Sequence, residues 1–385
     1  MGTEKKRTLS IAFTGDIGFD KHMDGRWVDE NLLSKEICDF LSSADHVVAN
    51  VEGALYQPES LEGKPVTFHA MNPQAACALE RMGADIWDIC NNHILDAGRE
   101  GLVSTQNIAK NLGFRTLGAG INKAEATAPI IIDDTVGLIA VGYHTDCVPA
   151  TETTAGCFCW DDFDSIGKRI AEIKAKCRWC VVVVHGGEEF TALPLPYTRD
   201  RYMKFLALGA DVVVGHHPHV PENYEIFDDG KMIFYSLGNF IFDTNYQRAH
   251  EYTDMGILLK LTFTPEKIAF EAIGTKTDRV NEWIEACPLP AVFTNIPAEE
   301  YELLAPLSAK SYIAEEKRKM IFMEPETYKD PKAFEAYFAG DTHESYVKGS
   351  HLDFAIIVPV AEEAEKNLWQ KSKLEAVKNY ILKLI

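Results

Sequence analysis

The chain has 385 residues, which is long for one hydrophobic core, so we expect either a large domain with an extension or two domains. Its 58 acidic and 38 basic residues give a formal net charge of -20, which disfavours nucleic acid and anionic membranes as partners. The sequence has neither an apolar run of bilayer-spanning length nor a signal-peptide core, so we expect a cytoplasmic protein without a membrane anchor.

Short apolar strands alternate with helical segments through the first two-thirds of the chain, and this alternation predicts an α/β sandwich. A hairpin is predicted over 256–275, with its turn at Pro265 and Glu266. The other predicted strands cover 9–15, 46–51, 85–91, 129–144, 180–185, 211–216 and 232–242, and the predicted helices cover 32–43, 73–83, 101–113, 164–177 and 199–210.

The composition changes near residue 281, where segments with proline are followed by charged helical stretches. We therefore divide the chain into a main domain over 8–280 and a mainly helical extension over 281–385. The last helix, over 361–385, has apolar residues at helical spacing, so we expect one of its faces to pack on the main domain.

Residues able to bind a metal ion stand where the predicted strands end. Functional groups of α/β sheets gather at such positions, where strands stop and loops begin. The residues concerned are Asp16, Asn50, Glu52, Asn92, His93, His185, His216, His217 and His219. Taken singly, each has an ordinary explanation as a turn, cap or hydrogen-bonded loop residue, but the joint pattern predicts a metal site.

The mixture of ligands indicates which metal ions the site prefers. Histidine together with carboxylate and amide oxygens suits Mn²⁺, Fe²⁺ or Zn²⁺. One tetrahedral ion uses three or four ligands, so this larger set predicts two divalent ions with a bridging carboxylate. Because adjacent residues of an extended chain face opposite ways, we expect His217 and His219 to share one site and His216 to point elsewhere.

Four of the nine cysteines allow two interpretations. Cys157 and Cys159, followed by Cys177 and Cys180, roughly resemble a paired-thiolate zinc site, although the first pair is one residue short of the usual spacing. The alternative is that these are ordinary thiols in the core and loops, and the sequence leaves both open.

The strand-end motifs resemble those of a known family. In order they are "GD", "NVEG", "NNHILDAG", "HGGEE", "GADVVVGHHPHV" and "YSLGNFIFD". This series resembles the bacterial capsule-synthesis CapA family, also called poly-gamma-glutamate biosynthesis proteins, within the calcineurin-like metallophosphoesterase superfamily. The resemblance covers about residues 8–275. It implies a four-layer αββα sandwich, in which two mixed sheets are flanked by helices, with a two-metal site at the strand ends.

The resemblance also assigns roles to individual residues. It implies that Asp16, Asn92, His185, His217 and His219 are metal ligands. His93 matches the family's acid, which protonates the leaving oxygen or contacts the phosphoryl group, and Asp96 is placed to orient His93.

Two positions depart from the superfamily pattern. Gly18 stands where the superfamily has a histidine, and "NVEG" offers Asn50 and Glu52 in place of a bridging aspartate. We assign the bridging role to Glu52. The first metal site is then one protein ligand short, and either water or Glu188 is expected to fill the gap.

Three further residues are weaker candidates for roles at the site. Glu188 is expected either to bind metal or to hold a ligating histidine. Ser236 and Asn239 are candidates for substrate contact.

The function implied by the resemblance is hydrolysis of a small phosphate ester by a metal-activated water. The first alternative is an accessory protein of capsule or poly-gamma-glutamate biosynthesis whose metal site is vestigial or structural. The second is hydrolysis of the amide bonds of a glutamate polymer.

Overall fold

The computed structural model describes residues 8–65, 67–143, 146–323 and 372–384, together with 326, 330 and 332. Most of the predicted extension between 324 and 371, and with it the first part of the helix predicted over 361–385, lies outside the described residues. Among the described residues, no helix combines the length and the apolar character needed to cross a bilayer.

The first sheet contains eight strands. In spatial order it runs β18 (Trp283–Cys287), β17 (Ile268–Asp278), β16 (Met255–Phe263), β1 (Leu9–Ile17), β2 (His46–Val51), β5 (Ile86–Asp88) and β6 (Arg115–Leu117), and β15 (Asn239–Ile241) also pairs with β1. Strands β1, β2, β5, β6 and β15 run parallel to one another. Strand β16 is antiparallel to β1, β17 to β16 and β18 to β17. The sheet is therefore mixed, and the predicted hairpin at Pro265 is confirmed as the β16–β17 pair.

The second sheet contains six strands. Its order is β13 (Tyr224–Ile226), β14 (Met232–Phe234), β12 (Val212–His216), β11 (Trp179–His185), β9 (Val136–Gly142) and β8 (Ile130–Ile132). Only the two edge strands, β8 and β13, are antiparallel to their neighbours. Two small two-stranded sheets pair β3 (Ala54–Leu55) with β4 (Ala70–Met71) and β7 (Ala119–Gly120) with β10 (Gly156–Cys157).

Strand β11 shows how the layers pack. Its four consecutive valines, Val181 to Val184, are fully buried. Val181 and Val183 belong to a cluster that also contains residues of the first sheet, such as Phe13 and Val48. Val182 and Val184 belong to a second cluster, formed with two helices on the outer face. Side chains of a strand alternate between its two faces, so β11 is a central strand covered on both sides.

The helices complete the sandwich. α5 (Phe163–Lys174) and α6 (Pro196–Ala207) cover the outer face of the second sheet. α1 (Lys35–Ser42), α2 (Ala76–Arg81) and α3 (Gly98–Asn111) add apolar residues to the cluster of the first sheet, and α4 (Lys123–Ala126) is a single turn. The predicted α/β sandwich, with two mixed sheets between helices, is confirmed.

The chain beyond residue 280 begins as part of the first sheet, because β18 pairs with β17. It continues into α7 (Ala298–Met323), and the described C-terminal residues form α8 (Ser372–Leu382). The two helices share an apolar cluster that includes Leu304 from α7 and Val377 from α8. The cluster also includes Ala192 and Leu193, so these helices pack on the loop that follows β11.

A glycine in β12 allows the chain to pass close to its neighbour. A Cβ atom added at Gly215 would lie 1.9 Å from the carbonyl oxygen of Tyr235. We expect Gly215→Ala to lower the free energy of unfolding by about 3 kcal/mol, because backbone must move to admit the methyl group. Gly167→Ala in α5 is the control, since its Cβ would meet only the end of the Leu208 side chain at 3.3 Å, and we expect a change within about 1 kcal/mol. Equal urea-unfolding midpoints for the two variants would contradict this account.

Candidate metal centre

The ends of strands from both sheets converge at one place. Asp16 lies near the end of β1 and pairs in register with Asn50 at the end of β2, while His185 and His216 are paired at the ends of β11 and β12. Glu52 follows β2, and Asn92 follows β5. Because these strands are parallel within each sheet, their carboxyl ends meet at the same edge.

Two groups of side chains have ligand atoms close enough to hold a metal ion. The first comprises Asp16, Glu52 and His185, and the second comprises Glu189, His217 and His219; within each group the ligand atoms lie within 4.8 Å of one another. His219 links the groups, since its Nδ1 lies 3.2 Å from Asp16 Oδ2 and its Nε2 lies 3.6 Å from Glu52 Oε1. The rings of His185 and His217 are 5.0 Å apart. The two groups therefore form one centre.

The chemistry of this centre fits divalent cations. Both carboxylate oxygens of Glu52 and Oδ1 of Asn50 are buried without a hydrogen-bond partner. A buried polar atom without a partner costs free energy, and a buried carboxylate costs more than a neutral group. A bound cation satisfies oxygen atoms of this kind, and the imidazole nitrogens around them are ligands of the same borderline metals.

The turn after β12 brings His217 and His219 to the centre. Both residues have positive φ angles, 97° for His217 and 59° for His219, which non-glycine residues seldom adopt. The chain is therefore not extended here, and the expectation that His216 points elsewhere was wrong. His216 lies in register beside His185 and places its Nδ1 3.3 Å from Asp16 Oδ1.

Asn92 and His93 stand at the junction of the two sheets. Asn92 Oδ1 lies 2.9 Å from His185 Nε2, and its Nδ2 lies 3.1 Å from His93 Nε2. Nδ1 of His93 lies 2.8 Å from Asp96 Oδ2, which also accepts a hydrogen bond from the backbone N–H of His69. This arrangement fixes the His93 ring and directs its Nε2 towards Glu52, 3.9 Å away.

The three weaker candidates are hydrogen-bonded residues near the centre, and none of them belongs to a ligand group. Glu188 accepts hydrogen bonds from the Leu195 N–H and the Thr198 hydroxyl, which keeps its carboxylate outside both ligand groups. Asn239 Oδ1 lies 3.0 Å from His219 Nδ1, so Asn239 contacts a histidine of the centre. Ser236 is buried, and its hydroxyl accepts a hydrogen bond from the Gly238 N–H.

The pKa values of the centre reflect burial and mutual charge. Burial acts to raise the pKa of Asp16, but hydrogen bonds from His216 and His219 outweigh it and lower that pKa. Burial raises the pKa of Glu52 and lowers the pKa of His185. His219 differs, because Glu52 and Asp16 overcome its burial and raise its pKa to about 10.

The structure gives a physical reason for the missing histidine at position 18. A Cβ atom on Gly18 would lie 2.7 Å from the ring of Phe242. That ring packs against His219 and His69, with ring centroids 5.0 Å from each. The side chain of Phe242, the residue directly after β15, thus occupies the space beside Gly18.

Sequence reasoning missed three features of this region. Glu189, the neighbour of Glu188, is the glutamate that joins the histidines. His69 lies 4.4 Å from the His93 ring, centroid to centroid, and its Nδ1 lies 2.8 Å from Asp20 Oδ2. Lys319 of α7 donates a hydrogen bond to Glu189 Oε2 at 2.9 Å. Glu189 is part of the motif "HGGEE", which was therefore a signal that could have revealed it. Neither His69 nor Lys319 belongs to a recognisable motif.

The four cysteines considered for zinc do not appear in either ligand group found among the described residues. Cys157, Cys177 and Cys180 are buried, and Cys159 is half-buried. Cys157 lies instead beside Cys147 and Cys90, and these neighbouring thiols lower its pKa to about 5.

The two stacked sheets and the histidine–carboxylate centre at their joint edge agree with the sandwich and strand-end site that the resemblance to the metallophosphoesterase-like class implies. Residues 10–244 match the family described as bacterial capsule synthesis protein PGA_cap. The chain belongs to this family, which confirms the resemblance drawn from the motifs.

Curated relatives are similar over the same region. The chain is 29% identical over 256 residues to the PGA biosynthesis protein CapA of Bacillus subtilis, a match covering 63% of this chain and 66% of the relative. It is 27% identical over 258 residues to the capsule biosynthesis protein CapA of Bacillus anthracis, covering 63% and 62%. A probable polyglutamine synthesis accessory protein of Mycobacterium tuberculosis is 25% identical over 256 residues, covering 59% and 66%. The chain thus spans slightly less than two thirds of the length of each of these relatives.

Proposed function

We propose that this protein is a metal-dependent hydrolase of a small phosphate ester. The observation that carries the proposal is the single buried centre formed by two adjacent ligand groups, Asp16–Glu52–His185 and Glu189–His217–His219. Two such groups side by side suit a pair of divalent cations, for which Mn²⁺, Fe²⁺ and Zn²⁺ are the candidates. Asn92 adds an amide oxygen between the sheets, and Glu52, a member of the first group, also lies 3.6 Å from His219 of the second.

Bound divalent cations would supply the activated water and the positive charge that phosphoryl transfer needs. The protein's own residues would position the reacting groups. Asp96 holds Nδ1 of His93, which leaves Nε2 turned towards the centre and able to exchange a proton with a leaving oxygen. Asn239 and Asn50 hold the imidazole of His219 and the carboxylate of Asp16, which limits their movement.

The charge of the chain favours a small substrate. A net charge of -20 repels long polyanions, whereas a small phosphate ester that reaches the cations is attracted at short range. We therefore propose that the partner is a small phosphorylated molecule and that nucleic acid is not a substrate.

The second candidate function is an accessory role in capsule or poly-gamma-glutamate biosynthesis, and the names of the curated relatives favour it. In this role the centre is vestigial or stabilises the protein. The remaining candidate is hydrolysis of the amide bonds of a glutamate polymer. The same activated water would serve for an amide as for an ester, so the candidates differ in substrate and turnover.

A hydrolysis screen separates these functions. The full chain is stripped of metal with a chelator and reloaded with Mn²⁺, Zn²⁺, Fe²⁺ or Mg²⁺ in turn. Phosphomonoesters, phosphodiesters and poly-gamma-glutamate are then offered to each preparation. Metal-dependent turnover of an ester is the expected result. Cleavage of the glutamate polymer alone would replace the first proposal with amide hydrolysis, and metal binding without any turnover would favour the accessory role.

A further inference from the structure

Helix α7 brings a positive charge to the edge of the metal centre. Nζ of Lys319 donates to Glu189 Oε2 at 2.9 Å, and Glu189 is itself one of the second ligand group. Among the described residues, no other lysine or arginine forms an ion pair with a member of either ligand group. It lies far beyond residue 244, where the match to the family ends.

The Lys319 side chain is open to solvent, unlike the groups around it. It is 45% exposed, compared with 24% for the Glu189 side chain and at most 5% for His217 and His219. On the second ligand group itself, Asp146 Oδ2 lies 3.8 Å from His217 Nε2. Lys319 therefore places a solvent-exposed positive charge beside the second ligand group.

The position of Lys319 is set by contacts of α7 with the loop after β11. Tyr301 Oη donates to the carbonyl of Pro194, and Ser308 Oγ donates to the carbonyl of Leu193. Farther along the helix, Glu315 Oε1 lies 3.1 Å from His250 Nδ1. The His250 ring stacks on Phe190 at 4.0 Å, and Phe190 lies next to His219. The helix is thus fixed relative to the centre.

Glu189 has two competing positive partners. A cation held by Glu189, His217 and His219 would draw the carboxylate charge towards itself and weaken the pair with Lys319. The ammonium group carries three donors, so it would then be available to another oxyanion beside the cation. Oxyanions bound jointly by a metal and a lysine are typical of phosphoryl-transfer sites.

We propose that Lys319 is a substrate-binding residue that recognises an oxyanion, a phosphate or a carboxylate, at the edge of the metal centre. The proposal deepens the proposed hydrolase function and rests on it. It also gives α7 a part in the site, since the residue comes from the extension and not from the strand ends.

The test compares variants of the full chain in two binding measurements. Lys319→Met removes the charge, Lys319→Arg keeps it, and Lys317→Met removes an exposed lysine of the same helix as the matched control. Calorimetry measures the binding of Mn²⁺ to the chelated proteins. It then measures the binding of inorganic phosphate and, separately, of tetra-gamma-glutamate to the Mn²⁺-loaded proteins.

We expect Lys319→Met to weaken binding of at least one of these anions about tenfold, because it removes a charge-assisted hydrogen bond. Mn²⁺ binding should stay equal or become tighter, since a competing positive charge is removed from Glu189. Lys319→Arg and Lys317→Met should stay within about threefold of the wild type. Opposite effects on anion and cation binding would not arise from a merely structural role. Whichever anion depends on Lys319 identifies the oxyanion.

Several results would overturn the proposal. The first is that Lys319→Met binds both anions with an affinity within twofold of that of the wild type. The second is that the Mn²⁺-loaded wild type binds neither anion. A loss of anion binding that follows a loss of Mn²⁺ would show that Lys319 acts through the cation site. Glu315→Gln, which loosens α7 without touching Lys319, must not reproduce the Lys319→Met loss. The binding measurements stand apart from turnover, so failure of the hydrolase proposal in the substrate screen is distinguishable.

Discussion

Alanine in place of His185 or His217 is expected to weaken divalent-metal binding by more than about 100-fold. Each substitution removes an imidazole from one of the two ligand groups found among the described residues. Loss of a residue that only supports a ligand already costs about 10–100-fold in affinity, so loss of a ligand costs more. Elemental analysis after dialysis, followed by Mn²⁺ titration of the chelated proteins, measures the effect.

The control for these variants is His46→Ala. His46 also sits beside a carboxylate, with Nδ1 2.6 Å from Asp85 Oδ2, but it lies at the start of β2 and so at the opposite end of the strand from the centre. All three proteins should keep their circular dichroism spectra. If His185→Ala and His217→Ala both retained the metal content of the wild type, these residues would not be ligands and the centre would have to be reassigned.

Asparagine in place of His93 is expected to lower hydrolysis by about 100-fold or more while bound metal stays at the wild-type level. The substitution removes the titratable nitrogen that faces the centre, and positioned acid–base groups contribute about this much to rate. His93 belongs to neither ligand group, so the cations should keep their ligands. Turnover is measured on whichever substrate the wild type cleaves, in parallel with elemental analysis.

His46→Asn is the matched control for this substitution, because it breaks a comparable histidine–aspartate pair outside the centre. It should leave turnover unchanged. Wild-type rates in His93→Asn on every substrate would show that His93 has a structural role, and loss of metal from that variant would make it a ligand.

The strands and the residues at their ends were predictable because they follow local rules. Val181–Val184 mark a strand buried on both faces, and His185 follows it directly. The same reading located Asp16, Glu52 and Asn92. Parallel strands bring their carboxyl ends to one edge, so a list of strand ends is also a list of neighbours.

Local rules failed where the backbone leaves the extended conformation. Gly187, His217 and His219 have positive φ angles, so side chains beyond them do not alternate as they do in a strand. This is why Glu189 rather than Glu188 joins the ligand group, and why His217 and His219 reach the centre together with His216, which precedes the turn, lies in register beside His185 and faces Asp16. Alternation within the sequence could not reveal either result.

The sequence by itself determined the α/β class, the family and the set of residues from which the centre is built. Short-range patterns of apolar and polar residues carry that information, because each strand and its terminal residue are adjacent in the chain. Only the tertiary structure decided that Phe242 fills the space beside Gly18, that His69 packs on His93, and that Lys319 reaches Glu189. These contacts join residues far apart in sequence, and their distances depend on how sheets and helices pack, which no local pattern records.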